Sequence, residues 1–155
     1  MRLISQGAQY AISAIIAISK HGDERAVSAS HLSKSLNCPT AYLSQILAKL
    51  KEPGILNSQR GLNGGVYLAK PIGEITMMQV IDAIDGSEFF SKCFMGIEGC
   101  GHIEPCPFHE FWSAERTKIQ EWLEHKTFAQ IDNNMSQAWF DLRLQFSNGV
   151  PSFKQ

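Results

Sequence analysis

The sequence predicts a mainly α-helical chain with a small β-hairpin wing, a winged helix-turn-helix followed by a long dimerisation helix. Three observations predict it. Apolar residues recur at helical spacing in three segments between residues 5 and 51. The pattern then changes to two short strand-like runs around a glycine-rich tip. A further long helical pattern starts at Phe108.

The first helix spans about Ser5 to Lys20, with Ala8, Ala11, Ile12, Ile15, Ile16 and Ile18 giving a wide apolar face that ends at Gly22-Asp23. Ser28 can cap a second helix to about Ser35, with Leu32 and Leu36 inward. Leu36-Asn37-Cys38 is a short turn, and Pro39-Thr40 opens a third helix to about Lys51, since proline is tolerated in a first turn. Leu43, Ile46, Leu47 and Leu50 share its inner face, and Glu52-Pro53-Gly54 stops it. Ile55–Gln59 and Val66–Ala69 read as strands around the tip Arg60-Gly61-Leu62-Asn63-Gly64-Gly65. Thr76 can cap a helix to about Ile84, closed by Asp85-Gly86. Residues 86–107 are loop-like. The helix from Phe108 to about His125 carries Phe108, Phe111, Trp112, Ile119, Trp122 and Leu123, and Thr127 with Gln130 resembles a capping box for a last short helix. The expected division is a DNA-binding domain over 1–86, a cysteine loop over 87–107, a dimerisation region over 108–132 and a C-terminal extension over 133–155.

The net charge of −1 hides an uneven distribution. Residues 1–70 hold eight Lys/Arg against three acids, and residues 71–155 hold six against twelve. A basic half beside an acidic half is expected of a chain with one end facing a polyanion. No apolar run is long enough to span a bilayer, and no signal peptide is legible, so the expected location is the cytoplasm with no membrane partner. No set of nucleophile, base and acid stands at recognisable spacing, so the chain is not read as an enzyme.

Three helices and then a hairpin is the winged helix-turn-helix order, and the short turn between the second and third suits a DNA-reading pair. A helix of about 10–12 Å diameter fits a major groove of about 12 Å. On the third helix Thr40, Ala41, Ser44 and Gln45 are small or polar and can approach base edges, while Tyr42 and Lys49 can reach phosphates. Arg60, flanked by Gly61 and Gly64, can enter a narrow minor groove. With Arg2, Ser28 and Asn63 these form the candidate DNA-binding set. The partner is a double-stranded DNA operator. Two copies joined through the helix from Phe108 would hide its aromatic stripe and match a palindromic site.

Cys93, Cys100 and Cys106 cluster, and His109 follows three residues after the last. Clustered thiols in a reducing compartment more often bind metal than form disulfides. Glycines 96, 99 and 101 let backbone N–H groups approach a bulky inorganic group, and a proline follows Cys106, as in ferredoxin-type loops. Tetrahedral zinc and a metal-free thiol switch also fit these residues. Cys38 stands apart in the helix-pair turn and reads as a small core residue, His21 and His31 as solvated, and Met77 and Met78 as packing.

The start Met1-Arg2-Leu3, the stretch Tyr42–Leu50, the wing Arg60–Leu68, the segment Ile75–Gly86 and the three-cysteine loop resemble the bacterial iron–sulfur regulators of the IscR/NsrR type, over about residues 1–132. The resemblance implies a dimeric winged-helix repressor or activator that senses cluster, redox, iron or nitric oxide status. It also implies an iron–sulfur cluster on the three cysteines plus a fourth ligand, [2Fe–2S] ahead of [4Fe–4S]. His109 is the candidate fourth ligand, with His102, Glu104 and a group from the partner subunit as competitors. Some relatives are thought to use a first-helix acid of the other chain; here that region holds Ala8 and Gln9. Some also carry a glutamate where this chain has Ser44, so their operator sequences do not transfer.

Overall fold

The computed structural model describes residues 3–22, 25–102 and 104–132. Arg2 and the expected extension over 133–155 lie outside the described residues. The predicted order is observed: α1 (Gln6–Lys20), α2 (Ala29–Leu36), α3 (Thr40–Lys51), β1 (Leu56–Gln59), β2 (Gly65–Leu68), α4 (Met77–Asp85), α5 (His109–His125) and α6 (Phe128–Asp132).

Helix α1 is the central element. Ser5 caps it, its Oγ accepting from the Ala8 N–H at 3.0 Å. Ala8, Ala11, Ala14, Ile15, Ile16 and Ile18 are all buried, because the small alanines let other elements close on several sides. Ser13 is buried too, and its hydroxyl donates to the Gln9 carbonyl at 2.9 Å.

Ser28 caps helix α2 as the sequence predicts, its hydroxyl accepting from the His31 N–H at 3.1 Å. The helix ends at Asn37, whose φ of 47° is the left-handed conformation asparagine tolerates. Pro39 precedes α3 rather than filling its first turn, and its carbonyl accepts from the Leu43 N–H at 3.0 Å. Leu43, Ile46, Leu47 and Leu50 are buried as predicted.

Strands β1 and β2 pair antiparallel in register Leu56↔Leu68 to Gln59↔Gly65. Val27 adds a one-residue third strand, exchanging bonds of 2.8 and 2.9 Å with Val66. The close approach explains the glycine pair. A Cβ on Gly65 would lie 2.2 Å from the Val27 carbonyl oxygen, and one on Gly64 would lie 2.6 Å from that of Gln59.

Helix α4 has a full capping box. Thr76 Oγ1 accepts from the Gln79 N–H at 3.3 Å, and Gln79 Oε1 from the Thr76 N–H at 3.2 Å. The sequence identified the threonine and missed the glutamine. The 86–107 stretch is not wholly irregular, since Glu88–Phe90 forms a 3-10 turn that buries Phe90. After α5 the chain returns: Thr76 bridges Thr127, the Met77 N–H donates to the Lys126 carbonyl at 2.9 Å, and Phe128 is fully buried in the main core. A smaller cluster joins Ile81, Phe90 and Leu123, with Met78 and Ile119 against it. Among the described residues no helix is long and apolar enough to cross a membrane.

Candidate DNA-reading face and metal centre

The outer face of α3 presents Ala41, Tyr42, Ser44, Gln45 and Lys49, all exposed, as the helical period requires once Leu43, Ile46, Leu47 and Leu50 turn inward. Several of these side chains are already engaged. The Thr40 hydroxyl lies 2.8 Å from that of Ser33 and ties α3 to α2. The Tyr42 ring stands edge-on to Tyr10 of α1, centroids 6.1 Å apart. Lys49 Nζ lies 3.5 Å from the Ile84 carbonyl at the end of α4. Ser44 and Gln45 sit between these anchors. On the wing Arg60, Gly61 and Asn63 are exposed, and Leu62 projects wholly into solvent at the tip. Ser28 lies on the cleft that Asn63 and Gly64 also line.

The end of α4 meets both other helices of this face. Asp85 accepts from the Ser5 backbone N–H at 2.8 Å and from the Ser5 hydroxyl. A Cβ on Gly7 would lie 3.2 Å from both Ile84 Cγ2 and Tyr42 Oη, so α1, α3 and α4 converge closely there. The cysteine loop begins two residues after Asp85, past the Gly86 cap of α4.

That loop is fastened to α5 at its start. Trp112 Nε1 and an Arg116 guanidinium nitrogen both donate to the Lys92 carbonyl, at 3.0 and 2.7 Å. Phe94 lies against Phe108 and Trp112, centroids 5.5 and 5.7 Å away. The sequence did not single out Lys92 or Arg116, because a backbone acceptor leaves no mark in residue type.

The predicted ligands come together. The sulfurs of Cys93, Cys100 and Cys106 all lie within 4.8 Å of one another. Cys93 Sγ is 3.7 Å from Cys106 Sγ, and Cys100 Sγ is 3.6 Å from His109 Nδ1. All four residues are half-buried and the cysteines are free thiols. Gly101 makes room for the imidazole: with φ +94°, it would place a Cβ 2.2 Å from His109 Cε1. The competitors His102 and Glu104 are exposed.

This donor set fits a metal group. With metal–sulfur bonds of about 2.3 Å and metal–nitrogen bonds of about 2.0–2.1 Å, two donors on one tetrahedral metal stand about 3.5–3.8 Å apart. Both close pairs meet that spacing. The thiols are also differentiated. Cys93 is lowered to about 7, first by the Ile97 backbone N–H aimed at its sulfur. At Cys100 the Cys106 N–H, 3.3 Å from the sulfur, favours the thiolate, but burial and the neighbouring thiols outweigh it and the group is raised. Cys38 is buried, and that burial pushes its thiol up, as a core residue should behave.

Comparison with known proteins places the chain in a family. The Rrf2 family profile, described as iron-dependent transcriptional regulators, matches residues 4–134. The HTH-type transcriptional regulator IscR of Erwinia tasmaniensis is 34% identical over 134 residues, 86% of this chain and 80% of that protein. An HTH-type transcriptional regulator of Haemophilus influenzae is 32% identical over 133 residues, 86% and 87% of the two chains. Among solved structures, CymR, the global cysteine regulator of B. subtilis, superposes with a TM-score of 0.72 at 24% identity, covering 88% of this chain and all of that one. T. potens IscR gives 0.70 at 23% identity over 88% and 90%. Those two likenesses establish the winged-helix fold. The chain belongs to the Rrf2 family of iron-dependent transcriptional regulators.

Proposed function

We propose that this chain is a homodimeric, cytoplasmic DNA-binding regulator that reads an operator with α3 and the wing and senses its signal through an iron–sulfur cluster on Cys93, Cys100, Cys106 and His109. The observation that carries the reading is the convergence of three thiols within 4.8 Å on a loop leaving the helix that α3 touches. The division into a DNA-binding unit over 1–86, a cluster loop over 87–107, a dimerisation region over 108–132 and an extension beyond is part of the same proposal.

Cys93, Cys100, Cys106 and His109 would hold the cluster, four donors of the thiolate and imidazole kind that iron accepts, with [2Fe–2S] the proposed form. A bound cluster supplies a redox-sensitive cross-link among these four side chains. The chain's own residues do the rest. The amides of Ile97 and Cys106 hold the Cys93 and Cys100 sulfurs, and Gly101 seats His109. Lys92 and its two donors fix the loop to α5. A change in loop order reaches α4 at Asp85, and from there Ser5 of α1 and Lys49 of α3. On DNA, Ser44 and Gln45 meet base edges, Thr40, Ala41 and Ser28 allow close approach, and Arg60 with Gly61, Asn63 and Gly64 addresses the minor groove. Tyr42 and Lys49 hold α3 in place as well as facing the backbone. Arg2 belongs to the same set from the sequence.

For the homodimer, the support is α5. Leu123 is buried and Ile119 and Trp112 are half-buried within the chain, which leaves a narrower stripe than the sequence predicts. Phe111 and Trp122 remain 70% and 55% exposed, three turns apart on one face. A second α5 would cover them.

The test is anaerobic purification with visible absorption, iron and sulfide analysis, followed by a gel shift against the chain's own promoter region. Iron and sulfide in equal amounts and salt-sensitive binding are expected. A colourless protein with stoichiometric zinc, or thiols that only interconvert with a disulfide, would remove the cluster. No binding in either form would remove the regulator.

A further inference from the structure

Beside Ser28, Asn63 and Gly64, the DNA-reading face carries His21, Arg25 and His31, which the proposed DNA contacts do not use. The end of α1, the segment before α2 and the wing tip enclose an open cleft of about 350 Å³ lined by His21, Arg25, Ser28, His31, Asn63 and Gly64. His21, which caps the end of α1, and His31 of α2 meet edge to face, centroids 5.3 Å apart. Arg25 is exposed and enters no salt bridge among the described residues. A second opening beside it is lined by Arg25, Gln59 and Asn63, so Arg25 stands between the α1–α2 segment and the hairpin.

We infer that this cleft is a phosphate-binding site for the DNA backbone, held by Arg25 with the two imidazoles, flanking the place where the wing meets the duplex. The inference rests on the DNA-binding reading above and adds contacts that reading did not contain. In a helix-turn-helix pair the first helix crosses the sugar–phosphate backbone while the second lies in the groove. Here α2 is the first helix of the pair, and the cleft lies at its start. The ligand chemistry matches. Guanidinium is a fork of donors suited to phosphate oxygens, and each imidazole donates an N–H even when neutral. An open polar cleft beside a polyanion suits a phosphate contact, which adds affinity without reading sequence.

The experiment uses the full chain and fluorescence anisotropy with two duplexes of equal length, the promoter-derived operator and a scrambled sequence, across a salt series. The variants are Arg25→Ala, Arg25→Ala with His31→Ala, Arg25→Lys, and Gln45→Ala as a base-reading control. Arg25→Ala is expected to weaken binding about 3-fold or more on both duplexes by the same factor, and to lower the log–log salt slope by about one. The double variant weakens both further, and Arg25→Lys restores most of the slope. Gln45→Ala weakens the operator alone. The site is overturned if Arg25→Ala and the double variant, folded by circular dichroism, keep the wild-type affinity and slope, or if their loss falls on the operator only. A wild-type chain that binds neither duplex overturns the underlying DNA reading and this site with it, so the two failures are distinguishable.

Discussion

Gly101→Ala is the sharpest perturbation of the proposed metal centre. The new Cβ would sit 2.2, 2.8 and 3.0 Å from His109 Cε1, Nε2 and Nδ1, where about 3.4 Å or more is ordinary contact. The imidazole must therefore retreat by about 1.2 Å, which takes Nδ1 away from its 3.6 Å approach to Cys100 Sγ. The φ of +94° adds backbone strain of about 1–3 kcal/mol for a residue with a side chain. Gly99→Ala is the matched control: its φ is +69°, so it is also strained, but nothing lies within 4 Å of its Cβ. The two variants differ mainly in the contact with His109. The assay is anaerobic reconstitution followed by chelator challenge, reading iron and sulfide per chain and the rate of bleaching. Displacing a ligand's support typically weakens a metal site about 10–100-fold, so Gly101→Ala should bleach at least about tenfold faster than Gly99→Ala. Equal retention in both would refute His109 as a ligand held by this glycine.

Three further outcomes follow from the packing and the thiols. Phe128→Ala should destabilise the chain by about 3–5 kcal/mol and lower Tm by about 10 °C or more in a thermal melt, because the ring is fully buried where α6 closes on the main core; a shift near zero would place α6 outside the fold's cooperative unit. In the cluster-free chain, iodoacetamide at pH 7 followed by peptide mapping should label Cys93 first and Cys38 last. The thiolate is the reacting form: Cys93, lowered to about 7, is half ionised there and gains thiolate as pH rises through that value, whereas Cys38, raised by burial, stays protonated. Labelling of Cys38 at the Cys93 rate would contradict this. Asp85→Ala removes both acceptors of Ser5, should lower stability by about 1 kcal/mol, and should narrow the difference in DNA affinity between the cluster-loaded and cluster-free chains; an unchanged ratio would exclude α4 as the route.

Most of the fold was legible in residue pattern. The inner face of α3 follows from four apolar residues at helical spacing, and the wing from its glycines, because only glycine can sit where Val27 approaches Gly65. The cysteines and His109 were legible as a set because donor chemistry is written in residue identity. What was hidden depends on tertiary contact. Phe128 looks like any phenylalanine in a short helix until the chain folds back on Ile75. Half of the α5 stripe proved internal because Phe90 and Ile81 wait beneath it. Lys49 is a surface lysine in sequence, yet in space it reaches the end of α4. His21 and His31 are ten positions apart and meet only because α1 and α2 pack side by side.

The Lys92 carbonyl, with an indole and a guanidinium both donating to it, makes the cysteine loop lopsided. Cys93 follows that fixed point directly, whereas Cys100 and Cys106 lie beyond turns at Gly96 and Gly99. The first thiol is thus a post standing in place before any metal arrives, and the later ones are a strap that wraps toward it. Under the proposed metal-binding reading, Cys93 would offer the one sulfur already fixed in place, and Cys100 and Cys106 would have to close on it.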